Sequence, residues 1–293
     1  MAKVSIIIVN WDGRQYLGNC LASVFEQSYK DFKVILVDNG STDDSVEFVK
    51  KNYSNVEIIT LDKNYGFAKA NNIAMERALK EGANYIALLN NDTRADNNWL
   101  DNLVKVMGLD KKIGICSSKI LSIDNPRILY STGHIFKWGK ILDRGHGEID
   151  NGQYDNKIDV VGACAGACLY RKEMIEQIGL FDENFVTSYE DAEMSWRALR
   201  KGWKSKYVPT AIVYHHGGGT SQKRKEIAQK LEEQGLLNII KTIRRHATFF
   251  QKIQTSFFWT KIAMRAEVGR WFKRNIAGGK PFFERVKRIW ILK

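Results

Sequence analysis

Four short apolar runs, each separated from the next by a helical pattern, occupy the first ninety residues. Val4–Val9 is a continuous, largely β-branched run, the mark of a strand buried on both faces. A helical spacing of apolar residues follows at Tyr16, Leu17, Cys20, Leu21, Val24 and Phe25. Phe32–Val37 reads as a second strand that stops at the turn signal Asp38-Asn39-Gly40. Ser41, with Asp44 three residues on, has the form of a capping box opening the next helix. Val56–Leu61 is a third strand, Ala68–Glu81 a helix closed by Gly82, and Tyr85–Leu89 a fourth strand. Strands alternating with helices in this way predict an α/β fold, a mainly parallel sheet with helices on both faces.

Beyond residue 110 the rhythm changes. Strand-like pieces and Gly-rich loops run from Ile113 to about Gly152, and a small-residue apolar segment, Val160–Tyr170, precedes a short helix over Lys172–Ile178. A helix from about Glu190 to Lys201 ends at Gly202, and a strand over Ala211–Tyr214 leads into His215-His216-Gly217-Gly218-Gly219.

Charge divides the chain more sharply than hydropathy does. From Lys223 onward ten Lys and eight Arg face five Glu, a net +13, while the whole chain carries +12. Residues 1–222 are therefore close to neutral, and the boundary separates a catalytic domain, 1–222, from a basic, aromatic-rich helical extension, 223–293. Cys20, Cys116, Cys164 and Cys168 show neither a disulfide framework nor a zinc spacing, and read as small buried thiols of a reducing compartment. No signal-peptide pattern opens the chain and no uncharged stretch approaches the ~20 residues of a bilayer span. The expectation is a cytoplasmic protein, peripheral on the cytosolic face of a membrane.

In open α/β sheets ligands bind beyond the carboxyl ends of the strands. Three polar clusters fall there: Asn10-Trp11-Asp12, Asp38-Asn39-Gly40 and Asn90-Asn91-Asp92-Thr93. Asp38 can accept a base N–H, and Asp92 is a hard oxygen ligand suited to Mg²⁺ or Mn²⁺. Each also reads as an ordinary turn or cap. The loop Asn64-Tyr65-Gly66 joins a strand to a helix N-terminus, where free amides, Gly66 and Lys69 can meet phosphate. Ser188 and Asp191 have capping-box spacing, yet Glu190 and Asp191 also form a carboxylate pair at a helix start, where the dipole favours an ionised Asp191 fit to act as general base. His215 and His216 suit metal or diphosphate contact, or a structural role.

Taken in order, these motifs resemble glycosyltransferase family 2, the inverting GT-A type, over residues 3–221. Val4–Trp11 resembles its opening strand and nucleoside turn. Asp38-Asn39-Gly40-Ser41-Thr42-Asp43 is similar to its Asp-x-x-Ser-x-Asp block, and Asn64-Tyr65-Gly66 with Ala70-Asn71-Asn72 to its third block. Asn90-Asn91-Asp92 stands where the family carries an Asp-x-Asp metal motif; the Asn at its first position resembles the rhamnosyltransferase-like branch and leaves one carboxylate. Gly179–Phe185, then Glu190-Asp191, Arg197 and Gly202, resemble the acceptor-side block.

The resemblance implies a GT-A, Rossmann-like sheet flanked by helices, and a sugar, rhamnose among the candidates, moved from a dTDP- or UDP-sugar to a glycan or lipid-linked glycan hydroxyl. It implies Asp191 as base with Glu190 beside it, and a divalent metal at Asp92 and His215. Nucleotide-sugar contacts fall to Asn10, Trp11, Asp38, Asn64, Gly66, Lys69, Asn90, Asn91 and Arg197. The basic tail, which interleaves cations with Phe249, Phe250, Phe257, Phe258, Trp259, Trp271, Phe272, Phe282, Phe283 and Trp290, suits an anionic membrane surface. Packing on the catalytic domain and an oligomer interface are the other readings of the tail, and nucleic acid has no task in such a site. A sugar-nucleotide pyrophosphorylase, or a binding protein on a degenerate transferase fold, are the competing functions.

Overall fold

A computed structural model describes residues 3–137, 140–186, 188–217, 225–248 and 252–253. By backbone proximity the chain divides into two units, Met1–Phe136 with Ile141–Thr242, and Lys137–Lys140 with Ile243–Lys293. The first unit holds the whole of the main sheet.

The N-terminal half of that unit is β1 (Val4–Asn10), α1 (Arg14–Phe25), β2 (Phe32–Asp38), α2 (Ser45–Asn52), β3 (Val56–Thr60), α3 (Phe67–Lys80) and β4 (Tyr85–Leu89). Then come β5 (Thr93–Ala95), α4 (Trp99–Leu109), β6 (Ile113–Ser122), β7 (Leu129–Ser131), β8 (His134–Lys137) and β9 (Lys140–Asp143). The remaining elements are β10 (Asp159–Val160), β11 (Ala167–Arg171), α5 (Lys172–Ile178), α6 (Glu190–Arg200), β12 (Lys204–His215) and α7 (Lys225–His246).

The main sheet runs β10-β12-β6-β11-β4-β1-β2-β3, with β5 on β12 and β7 on β6. The half from β4 to β3 is parallel. β11 lies antiparallel between β4 and β6, while β12 runs parallel to β6. Two antiparallel steps restore direction, so the carboxyl ends of β1, β2, β4 and β12 share one edge, and the start of β11 meets them there.

Side chains alternate across this sheet with the period of two that an extended chain imposes. Val4, Ile6 and Ile8 of β1 pack with Leu17, Leu21 and Val24 of α1 and with Trp99 and Leu103 of α4. Ile7, with Ile35 and Val37 of β2, packs on the opposite side with Ala70, Ala74 and Met75 of α3. Both faces are dry, which is why the strands read as unbroken apolar runs and why their polar residues collect at the ends. The four cysteines are free, and Cys20, Cys116 and Cys168 are buried.

Two local expectations are corrected. α2 begins at Ser45 with no side-chain cap bond, and Ser41 instead turns its hydroxyl toward β1, accepting from Asn10 Nδ2 at 3.2 Å and from the Asp12 amide at 3.0 Å. α6 is preceded by Tyr189 rather than by a capping serine, and again no side-chain cap bond forms. Ser188 and Tyr189 are both left-handed, at φ 68° and 73°, a conformation that L residues other than Asn, Asp and His seldom adopt.

Candidate active site

At the ends of β1, β2 and β4 the sheet edge is a continuous hydrogen-bonded network. Asn10, fully buried at the end of β1, donates from Nδ2 toward Asp38 Oδ1 at 3.4 Å and accepts at Oδ1 from Asn91 Nδ2 at 2.7 Å. One amide thus ties together the ends of β1, β2 and β4. Asp38 Oδ2 accepts the Ser41 amide at 3.2 Å. A carboxylate has about four lone-pair sites, so Asp38 retains acceptor capacity for a further N–H. Gly13 stands where any Cβ would meet Asn91 Nδ2 at 2.1 Å and Asn10 Oδ1 at 2.5 Å, so this junction requires glycine. Trp11, half-buried, follows on the same turn.

Asn39, which sequence reasoning passed over as a turn residue, holds the third loop. Its Nδ2 donates to Asn64 Oδ1 at 3.0 Å, and its Oδ1 accepts the Tyr65 amide at 2.9 Å. Asn64 Oδ1 also accepts the Gly66 amide at 2.8 Å.

Asp92 and His215 meet at the far end of the edge because β5 pairs antiparallel with β12, placing Thr93 opposite His215. His215 Nε2 lies 3.0 Å from Asp92 Oδ1 and 3.3 Å from the Asn90 side-chain amide. Tyr130 of β7 packs edge-on against the imidazole with ring centroids 4.6 Å apart. Nδ1 of His215 is buried without a hydrogen-bond partner. One carboxylate, one imidazole and one side-chain amide therefore converge. Among the described residues no group of three His, Cys, Asp or Glu side chains gathers to hold a metal. The set fits a hard divalent cation that completes its shell with water and diphosphate oxygens, as Mg²⁺ ordinarily does.

Asp191 sits in the first turn of α6 with its side chain 16% exposed. Its Oδ2 accepts the Ala165 amide at 3.0 Å and its Oδ1 the Ala192 amide at 2.7 Å. The left-handed turn before it is held from two directions. The Tyr189 hydroxyl donates to Ile141 O at 3.0 Å and accepts the Ile141 amide at 2.7 Å, while Asn238 Nδ2 of α7 donates to Ser188 O at 2.8 Å. Strain of this kind persists only where its surroundings over-determine it, and it concentrates at functional sites.

The two halves meet over two residues. Ala165 donates its amide to Asp191, and the next residue, Gly166, accepts the Asn90 amide at 2.9 Å through its carbonyl. A Cβ at Gly166 would meet Asn90 Nδ2 at 3.4 Å and His215 Cε1 at 3.7 Å. The carboxylate of Asp191 and the Asn90–Asp92–His215 cluster thus flank one short backbone segment at the start of β11.

Four expected site residues, Arg197, Gly66, Lys69 and Glu190, have other partners or surroundings. Arg197 is occupied structurally: its Nε binds Glu193, and its terminal nitrogens donate to the carbonyls of Ile178, Gly179 and Leu180, closing the α5–α6 connection. At the N-terminus of α3 the first two amides, of Phe67 and Ala68, are taken by Val186 O at 2.8 and 3.5 Å. Gly66 serves that same contact, since a Cβ there would meet Val186 O at 2.4 Å, and Lys69 faces Glu183 at 3.9 Å and the Tyr65 ring at 4.8 Å. Glu190 is buried, its Oε2 unpartnered; desolvation first, and the neighbouring Asp191 second, push its carboxyl well above the usual range. Glu190 is thus sealed from an acceptor, whereas the Asp191 side chain is partly exposed.

A family model described as Glycosyl transferase family 2 matches residues 5–179, more than half of the chain. The chain belongs to glycosyl transferase family 2. Among its curated relatives in that family is the poly-beta-1,6-N-acetyl-D-glucosamine synthase of Staphylococcus aureus strain COL, 23% identical over 282 residues, or 89% of this chain. The chain spans 63% of that relative's length. A teichoic acid poly(glycerol phosphate) polymerase of Staphylococcus epidermidis is 40% identical over 80 residues, covering 26% of this chain and 11% of the polymerase. Solved structures give the same fold, GT-A. The mannosyltransferase PcManGT of Pyrobaculum calidifontis, in complex with GDP-Man and Mn²⁺, matches with a TM-score of 0.65 at 14% identity over 98% of this chain and 79% of its own. Staphylococcus aureus TarS 1–349 matches with a TM-score of 0.60 at 16% identity over 99% and 78%.

Sequence reasoning also missed the neighbours of Asp191. His134 lies with Nε2 at 3.8 Å from Asp191 Oδ2 and 3.6 Å from Asp143 Oδ1. Both residues come from the β8–β9 hairpin, where neither spacing nor motif marks them.

Proposed function

We propose that this family 2 member transfers a sugar from a nucleoside-diphosphate donor to an acceptor hydroxyl with inversion. The supporting observation is the junction at Ala165–Gly166, which sets Asp191 on one side of a bound sugar's reach and Asn90, Asp92 and His215 on the other. Asp191 takes the acceptor proton as the acceptor oxygen forms its bond to the anomeric carbon, and the bond from that carbon to the diphosphate breaks with its electron pair leaving on the phosphate oxygen. A divalent cation, when bound, offsets the charge of the departing diphosphate. Asp92 and His215, with Asn90 beside them, are the residues that would hold it, in line with the Mn²⁺ in the PcManGT complex. Asn10, Trp11, Asp38 and Asn91 would receive the nucleoside, Asp38 by accepting a base N–H.

Two observations bear on the donor. The Asn-Asn-Asp form of the motif resembles the rhamnosyltransferase-like branch and favours dTDP-rhamnose. The named relatives favour UDP-GlcNAc: one is a poly-N-acetylglucosamine synthase, and TarS has been solved with UDP-GlcNAc. A polysaccharide synthase among the relatives favours a glycan or lipid-linked glycan acceptor. A basic tail carrying a net +13 suits work at the cytosolic face of an anionic membrane. No helix of the described residues is long and apolar enough to cross a membrane, and the tail's aromatic residues from Phe249 to Trp290 lie outside the described residues.

A thermal-shift screen of UDP, dTDP, UDP-GlcNAc, dTDP-rhamnose and GDP-mannose, with and without Mn²⁺, tests the reading, because a ligand of the native state raises stability by mass action. A pyrimidine nucleotide stabilising more strongly with Mn²⁺ supports it. Equal response to all five, or to none, contradicts it.

A further inference from the structure

His134 is buried at 3% exposure, and the proposed transfer gives it no task. Its backbone is locked, the amide donating to Gly162 O at 2.8 Å and the carbonyl accepting the Val161 amide at 2.8 Å. Its Nδ1 faces the Ser195 hydroxyl at 3.5 Å, across Gly162, where a Cβ would meet Ser195 Oγ at 1.9 Å. Its Nε2 stands between two carboxylates, 3.6 Å from Asp143 Oδ1 and 3.8 Å from Asp191 Oδ2. Asp143 Oδ1 is itself buried with no hydrogen-bond partner.

The Ser195 hydroxyl and Nδ1 share a hydrogen bond at 3.5 Å, and Nε2 faces between Asp143 and Asp191. The imidazole then answers the field of two carboxylates that would otherwise repel each other in a poorly solvated site. From this geometry we infer that His134, oriented by Ser195 and backed by Asp143, is a positioning residue for the Asp191 carboxylate. It rests on the reading of Asp191 as the base. It differs from that reading in what it requires: Asp143, His134 and Asp191 must act as one electrostatic unit, whether or not substrate is present.

Asp143 reports on this unit. Burial first pushes its carboxyl up, His134 pulls it down, and Asp191 pushes it up. The titratable groups facing it are His134, Asp191, His146, Tyr130, Tyr189 and Cys164. The experiment is a ¹³C NMR titration of the full chain labelled at aspartate Cγ, with the Asp143 resonance assigned by its loss in Asp143→Asn. In His134→Gln, which keeps an amide donor but removes the imidazole, the Asp143 midpoint should move up from its wild-type position, since His134 pulls it down. In Asp191→Asn, with His134 intact, it should move down. An Asp143 midpoint unmoved in His134→Gln overturns the inference; Asp191→Asn reads the repulsion between the two carboxylates, and His134→Asn repeats the first measurement should His134→Gln fail to fold. Turnover of Asp191→Asn is a separate measurement: if it stays high the base assignment fails, whatever the titration shows.

Discussion

Asp92 Oδ1 lies 3.0 Å from His215 Nε2, and both side chains are buried. The contact is a product of sheet pairing: β5 is only three residues long, yet its register on β12 fixes the residue just before it against the last residue of the longest strand. With Asn90 in place of a second carboxylate, the proposed cation site rests on this pair.

Replacing Asp92 with Ala should therefore abolish the Mn²⁺-dependent part of UDP binding in calorimetry and leave the metal-free part intact. The fold should survive, because His215 retains its packing on Tyr130. Unchanged Mn²⁺ dependence would move the cation elsewhere.

Glu190 ties stability to pH. Its folded carboxyl ionises well above the ordinary value of 4.5 because it is buried beside Asp191. Above that value the unfolded chain releases the proton that the folded chain keeps, so the contribution of Glu190 is full below pH 4.5 and is lost as pH rises toward its folded value. The slope from one such group is at most about 1.4 kcal/mol per pH unit. Glu190→Gln should flatten the decline of melting temperature with rising pH, leaving the slope due to Asp143, which is shifted the same way. It should also retain turnover, since a neutral amide replaces a neutral acid. Loss of turnover at unchanged stability would return Glu190 to the chemistry.

The location of α7 sets where the chain can be shortened. Asn238 and Thr242 are buried, and Asn238 supports the Ser188 carbonyl beside Asp191. Ending the chain at Gln222 removes that support, and the lost hydrogen bond alone is worth about 1–3 kcal/mol where the carbonyl stays buried. A chain ending at Thr248 keeps it. Thermal denaturation should show a clear loss for the first and little for the second. Co-sedimentation with phosphatidylglycerol vesicles, full chain against the chain ending at Thr248, then reads membrane contact without disturbing the site. Equal melting temperatures for the two truncations would contradict the bracing role of Asn238.

The parallel half of the fold was legible because β1, β2 and β4 are largely buried on both faces and announce themselves as apolar runs, and the half-buried edge strand β3 still carries Val56, Ile58 and Ile59. The polar residues that end those runs, Asn10, Asp38 and Asn90, were legible for the same reason. What local sequence could not show is the register of distant pairs. β11 enters the sheet antiparallel, and that reversal brings Ala165 and Gly166 to the edge. Ser188 with Asp191 has the spacing of a capping box, yet the chain turns left-handed at Ser188 and Tyr189 because Ile141 and Asn238 hold it there. Arg197 beside an acidic pair reads as an anion contact until the carbonyls of Ile178, Gly179 and Leu180 are seen to occupy it. His134 and Asp143 reach Asp191 only through tertiary folding of a hairpin with no motif of its own.

The most direct measurement is the release of nucleoside diphosphate by Asp191→Asn, using the donor and acceptor preparation that gives turnover in the wild-type chain. The substitution keeps the size of the side chain and its acceptance of the Ala165 amide, so melting temperature and donor affinity should stay near wild type. An amide cannot take the acceptor proton, and loss of a general base costs roughly 10²–10⁴-fold in rate. A fall of that size with donor binding preserved is the expected result. Turnover within a few-fold of wild type would contradict the assignment of Asp191 as the base.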